Sequence, residues 1–266
     1  MHYPRSRVRA RRLDWIVRHL DRFLFGALLV VVAIWVIDLI AGATMTGRVK
    51  TFDEQIVWAL RSAADPRVPI GPRWLGTFFR DITALGGPGV LGIVISIVIA
   101  FLILSRQHRA AALVAATTLG GLLLAMALKD FFGRSRPPIL DIYRESTASF
   151  PSGHSMMSAV VYLTLGSMLT RLVAERRLKL YFLGVACALA FLVGLSRIYL
   201  AAHYPSDVLA GWATGFAWAL ACWLVERRLQ RAGAVEGAGL NVDSGGIEIP
   251  LEDGRPLEVG ERSERG

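Results

Sequence analysis

Ser196-Arg197-Ile198-Tyr199-Leu200-Ala201-Ala202-His203-Tyr204-Pro205-Ser206-Asp207 is a short polar passage between two apolar runs, and its reading decides the fold. The run before it, about Leu178 to Leu195, and the run that follows, about Pro205 to Val225, are each close to the ~17–25 residues that cross a bilayer as a helix. Pro205 suits the first position of the later helix, so Asp207 falls in its first turn and can reach back to His203. The passage is a turn between two membrane spans, and it carries a paired histidine and acid.

Outward from this turn the same rhythm repeats. Apolar runs cover about Phe23 to Ala43, Gly89 to Leu104, Ala110 to Leu128 and Gly153 to Ala174, the second of them marginally short for a span. The expected fold is all-α, a polytopic membrane protein built as a six-helix transmembrane bundle. Composition agrees: 54% hydrophobic and 19% charged residues in 266 are too apolar for an ordinary soluble domain. The net charge of +9 could suggest nucleic acid, but the arginines gather in short clusters beside apolar runs and form no basic face, so no nucleic-acid partner is expected.

The first 22 residues carry Arg5, Arg7, Arg9, Arg11, Arg12, Arg18 and Arg22. A basic segment before an apolar run resembles a secretory signal, yet this run exceeds the ~7–15 residues of a signal core. It is expected to be an uncleaved first span with a basic cytoplasmic N-terminus over 1–22. The turns Ser105 to Arg109, Arg171 to Lys179 and Glu226 to Arg231 are also basic and fall on the same side. The main body is then 23–228, and residues 229–266, rich in Gly and Glu without an apolar period, are expected to form a disordered cytoplasmic tail.

Between the first two spans, Thr44 to Pro88 is punctuated by Pro66, Pro69, Pro72 and Gly86-Gly87-Pro88, which excludes a continuous span. Phe52, Ile56 and Leu60 recur at helical spacing, and Trp74, Leu75, Phe78 and Phe79 follow. Short amphipathic helices on the bilayer surface and a loop packed on the bundle both fit. Asp38, near the outer end of the first span, is expected to be solvated or to have a structural partner. Cys187 and Cys222 lie in apolar runs and are expected to pack, with no disulfide or metal site.

Span parity brings three polar clusters to one extracytoplasmic face: Lys129 to Pro137, Pro151-Ser152-Gly153-His154, and Ser196 to Asp207. Ser152 fits a helix N-cap, leaving first-turn amides that bind anions, and Gly153 lets an oxygen come close to the backbone. Lys129, Arg136 and Arg197 can match the charge on the equatorial oxygens of a transferring phosphoryl group. Asp207 can fix the tautomer of His203, leaving the other ring nitrogen as a nucleophile, and His154 remains as the acid for the departing oxygen.

The pattern Lys129-x6-Arg136-Pro137, then Pro151-Ser152-Gly153-His154, then Ser196-Arg197-x5-His203-x3-Asp207 resembles the type 2 phosphatidic acid phosphatases (PAP2), whose site is shared with vanadium-dependent haloperoxidases and acid phosphatases. The motif is met at every specified position, and Arg80 to Gly87 looks like the loop before the second span in bacterial members. The resemblance implies phosphate binding by Lys129, Arg136, Ser152, Gly153 and Arg197. It also implies His203 as nucleophile, Asp207 as its partner and His154 as general acid, in a core over 129–207. It implies no cofactor and no metal, and the sequence has no carboxylate cluster on the outer face for magnesium.

The implied activity is hydrolysis of a lipid phosphate or diphosphate at the extracytoplasmic face through a phosphohistidine, with substrate and membrane lipids as partners. Polyprenyl diphosphate, phosphatidate and phosphatidylglycerol phosphate all fit, and the outer-face argument favours the first. Two rival readings are a vanadate-dependent haloperoxidase, which halide oxidation without phosphate release would reveal, and a non-catalytic lipid-binding or transport protein. The intact histidine pair argues against the latter.

Overall fold

The computed structural model describes residues 5–138 and 148–231, with side chains over 24–138 and 148–229. Its elements are α1 (Arg5–Met45), α2 (Lys50–Ala59), α3 (Arg73–Ala84), α4 (Pro88–Leu104), α5 (His108–Phe132), α6 (Gly153–Leu169), α7 (Arg176–Tyr199) and α8 (Pro205–Arg231). The six long apolar runs are all helical, and α2 and α3 fill the interval between the first two of them. The helix α1 continues without a break through the basic segment from Arg5.

Among the described residues, four helices are at least 18 residues long and apolar enough to cross a membrane: α1 from Leu24, α5, α7 and α8. A fifth candidate is the pair α3 and α4, bent by 45° at its break. Both α4 and α6 have 17 residues, about 25 Å at 1.5 Å per residue. The helix α6 ends at Leu169, earlier than the Ala174 expected, because the chain turns at Thr170 to Leu172 before α7 begins at Arg176. It can be short because it is the central helix, packed on α7, α8, α5 and α4.

The packing of α8 against α6 depends on small residues. A methyl group at Gly211 would come within 2.7 Å of the Ser152 carbonyl oxygen, and one at Gly215 within 2.5 Å of that of Met156. This four-residue glycine spacing lets two membrane helices meet backbone to backbone. Outside this core the bundle is ringed by exposed apolar side chains, among them Leu28, Trp35, Ile93, Ile97, Leu123 and Phe191. A ring of that kind is the surface a bilayer covers. Cys187 belongs to this ring and not to the interior, contrary to the packing expected of it; Cys222 is half-buried, and both are free thiols. Asp38 is exposed on α1.

Of the two pictures for Thr44 to Pro88, surface helices are what the chain forms, and they also pack on the bundle. The face of α2 turned inward is Asp53 and Val57, while Phe52 is exposed. The apolar spacing therefore located the helix but not its buried side. The helix α3 buries no residue and exposes Trp74 and Phe78, while Phe79 packs on Tyr199 of α7 with ring centres 4.3 Å apart. Between α2 and α3, buried Arg61 donates to the Tyr199 carbonyl and the Tyr199 hydroxyl donates to the Ile70 carbonyl, fastening the loop to the end of α7.

Candidate active site

Four helix ends build the site: the C-termini of α5 and α7 and the N-termini of α6 and α8. The helix α5 stops at Gly133, which adopts the left-handed conformation (φ 56°) and returns its N–H to the Lys129 carbonyl. Glycine takes that conformation without the steric cost of a Cβ. The stop leaves Lys129 in the last turn of the helix and sends Arg134 to Pro137 across the mouth of the bundle. Lys129 Nζ donates to the Ala148 carbonyl at 2.6 Å, and a methyl at Gly153 would lie 3.4 Å from its Cε.

Ser152 caps α6 as its residue type predicts. Its Oγ accepts from the Ser155 amide at 3.5 Å and from the Ser155 hydroxyl at 3.0 Å. Two accepted bonds leave the Ser152 proton to be given to an acceptor. The first amides of any helix have no partner in its own ladder, and at α6 they belong to Gly153 and His154. The Ser152 amide donates to the Asp207 carbonyl at 2.9 Å, which joins the start of α6 to the start of α8. The imidazole of His154 points toward the turn between α3 and α4, where a methyl on Gly87 would be 3.8 Å from its Nε2.

The Asp207 carboxylate reaches back to the Tyr204 amide at 3.0 Å, the reciprocal cap of a helix that starts at Pro205. His203 lies in the turn before it, 1% exposed, and its amide and that of Ala202 both bond the Arg197 carbonyl. Arg197 itself is buried and donates to Thr83 Oγ1 at 3.2 Å. Arg136 donates to the Ala202 carbonyl at 3.2 Å and stands 3.3 Å from His203 Nε2. Lys129, Arg136, Ser152, Gly153, Arg197, His203 and Asp207 are thus linked by short contacts at one end of the bundle, with His154 one residue beyond Gly153.

Three residues that the motif does not specify complete the arrangement. Ser149 is fully buried between the histidine and the acid: its hydroxyl donates to Asp207 Oδ2 at 2.5 Å and lies 3.3 Å from His203 Nδ1. Because Asp207 Oδ2 is 3.7 Å from Nδ1, too far for a good hydrogen bond, the serine carries part of the coupling that the spacing assigned to the carboxylate alone. Arg134 binds Asp207 Oδ1 at 2.5 Å and Asp53 Oδ2 at 2.8 Å, and Asp53 is fully buried. An arginine two residues before Arg136 and an acid on the inward side of α2 were visible in sequence as types, but their pairing was not.

These contacts fix the tautomer of His203. The single Ser149 proton goes to the carboxylate, so toward Nδ1 the hydroxyl accepts, and Nδ1 bears hydrogen. Arg136 can only donate, so Nε2 offers a lone pair. Burial pushes the imidazole pKa down from 6.5 to about 4, with Asp207 opposing and Arg197 and Arg136 reinforcing the shift. The folded protein therefore holds this ring neutral more strongly than the unfolded chain does. Stability is expected to be full above pH 6.5 and to fall as pH drops toward 4, by as much as about 3 kcal/mol. Denaturation in detergent above and below that window measures the loss, and His203→Gln should flatten it.

Fold and site together define a polytopic membrane phosphatase. Residues 109–231 match the family model of the PAP2 superfamily. Phosphatidylglycerophosphatase B of Bacillus subtilis is 34% identical over 180 residues, 66% of this chain and 84% of that one. A lipid A 1-phosphatase of Rhizobium johnstonii is 35% identical over 106 residues, 36% of this chain and 39% of that one. The crystal structure of a transmembrane PAP2-type phosphatidylglycerolphosphate phosphatase from Bacillus subtilis superposes with a TM-score of 0.67 at 30% identity, covering 76% of this chain and 98% of that one. The chain belongs to the PAP2 superfamily, and it is a hydrolase of lipid phosphates.

Proposed function

We propose that the protein removes a terminal phosphate from a glycerophospholipid, with phosphatidylglycerol phosphate the first substrate to test, through a phosphohistidine on His203. The observation that carries the reading is the placing of His203 between the Ser149 hydroxyl, 3.3 Å from Nδ1, and the Arg136 guanidinium, 3.3 Å from Nε2, contacts that suit a neutral ring with its lone pair at Nε2. Likeness to phosphatidylglycerophosphatase B over 84% of its length supports that headgroup ahead of polyprenyl diphosphate, which the outer-face argument favoured.

Lys129, Arg136 and Arg197, the Ser152 hydroxyl and the first amides of α6 hold the equatorial oxygens. His203 Nε2 attacks phosphorus, and the ester P–O bond breaks as protonated His154 gives its proton to the leaving oxygen. Asp207 balances the positive charge left on the ring. Water then attacks the phosphohistidine, giving a proton to His154 and releasing phosphate, which restores both histidines.

Phosphate release by purified protein from a panel of phosphatidylglycerol phosphate, phosphatidate and polyprenyl diphosphate, with chelator present, tests the reading. Turnover that survives chelation is expected, with the first substrate preferred. Failure on all three, or activity that chelator removes, would sink it. The positive-inside argument assigns the site to the extracytoplasmic face. A cysteine at Ala63, exposed beside α2, should react with an impermeant maleimide added outside intact cells, and one at Ala174, exposed at the opposite end, should not.

A further inference from the structure

We infer that Arg134, held by Asp53 of the surface helix α2, is a positioning residue for Asp207, an inference that rests on the His203–Asp207 reading above. The guanidinium sits between two fully buried carboxylates and is itself 13% exposed. One arm donates to Asp207 Oδ1 at 2.5 Å and Ser206 Oγ at 2.8 Å, the other to Asp53 Oδ2 at 2.8 Å, and its centre lies 4.5 Å above the Tyr204 ring. Asp53 also accepts from the Ser206 amide at 3.0 Å. The start of α8 is therefore held by α2 in two ways, directly through Ser206 on Asp53 and through the Arg134 cation that Asp53 shares with Asp207.

The two oxygens of Asp207 have different duties. Oδ1 is taken by Arg134, while Oδ2 faces Ser149 and His203. A planar guanidinium that bonds two groups at fixed angles sets the rotation of the carboxylate, and with it the direction in which Oδ2 supports the ring. Arg136 and Arg134 thus bracket the pair from opposite ends: one faces Nε2, where phosphorus must arrive, and the other grips the oxygen turned away from the ring.

Charge points to the same role. Asp53, Asp207 and Arg134 sum to one negative charge beside a neutral histidine, which matches the single positive charge the ring acquires when phosphorylated. Without Arg134 two buried carboxylates would face each other with no cation between them, and one would take a proton. If that carboxylate were Asp207, it could no longer balance the phosphorylated ring.

The test compares kcat and KM of Arg134→Gln, Asp53→Asn and the double variant on dioleoyl phosphatidate in non-ionic detergent micelles, with melting temperature measured in parallel. A positioning role predicts at least a tenfold loss of kcat for Arg134→Gln and a smaller loss for Asp53→Asn. KM should stay within twofold, and the double variant should lose less than the product of the two. A raised KM at unchanged kcat would mean that Arg134 touches the phosphate, and wild-type kinetics or fully multiplicative losses would also overturn the inference. Should Arg134→Gln not fold, Arg134→Lys, which keeps the charge but not the fork, must still lose kcat severalfold at unchanged KM, and wild-type kinetics in it would overturn the inference. His203→Ala serves as control: if that variant turns over, the reading of the site fails, whereas an inert His203→Ala beside unaffected Arg134 and Asp53 variants defeats this inference alone.

Discussion

His203→Ala is expected to lower phosphate release roughly 10⁴-fold or more while leaving the protein folded. The loss is large because no other group can take over the attack. The cations of Arg136 and Arg197 have no lone pair to offer, and Asp207 is fully buried, with its oxygens occupied by Arg134, Ser149 and the Tyr204 amide. Folding should survive because the contacts that fasten α8, from Asp53 and Arg134 to Ser206 and Asp207, do not pass through the imidazole. His203→Gln keeps a side chain that can hydrogen-bond in the same place but has no nucleophile, and it should be equally inert. Near-normal turnover in either variant, measured on protein with an unchanged melting temperature, would remove His203 from the role of nucleophile.

The second large effect is expected at His154. A general acid contributes about 10²–10⁴-fold, and more as the leaving group is more basic. His154→Ala should therefore be costly on a lipid phosphate, whose departing alkoxide needs a proton, and distinctly less so on p-nitrophenyl phosphate, whose phenolate leaves without one. Comparing the two substrates in one variant separates proton donation from phosphate binding, since a binding defect would weaken both alike. Equal losses on the two substrates would contradict the assignment. His154 opens α6 beside Gly153 and faces the glycine turn before α4.

Much of this site was legible in sequence because the bilayer imposes a strict grammar. Lys129, Gly153, Arg197 and Asp207 each mark the point where an apolar run meets a polar turn, so span parity alone brings them to one end. Local chemistry did the rest where it is short-range: Ser152 as a cap and Pro205 as a first helical residue follow from neighbours in the chain, whereas Asp207 reaches back to the Tyr204 amide and leaves its Oδ2 3.7 Å from the His203 ring. Lengths were less well determined, as α6 shows, because a helix covered by neighbours need not be long enough to span by itself.

The partners of Asp207 were not legible for a different reason. Asp53 is 81 positions from Arg134, and nothing in the pattern of either segment states that one pairs with the other. The spacing of Phe52, Ile56 and Leu60 marked an apolar face suited to a bilayer surface, and the face that α2 buries, with Asp53 and Val57, is a different one. Ser149 sits in an unremarkable Ala-Ser-Phe sequence, and only the fold brings its hydroxyl between Nδ1 and Oδ2. Motif spacing reaches the residues proposed to meet the phosphate; the residues that hold those in place are set by tertiary contacts across the bundle.

The central claim is a covalent phosphohistidine formed without a metal. Rapid acid-free quenching of the protein with ³²P-labelled phosphatidylglycerol phosphate, in the presence of chelator, should trap label that is stable to base and labile to acid. That label should map to His203 and be absent from His203→Ala. Turnover with no trapped label, or label that persists in His203→Ala, would contradict it.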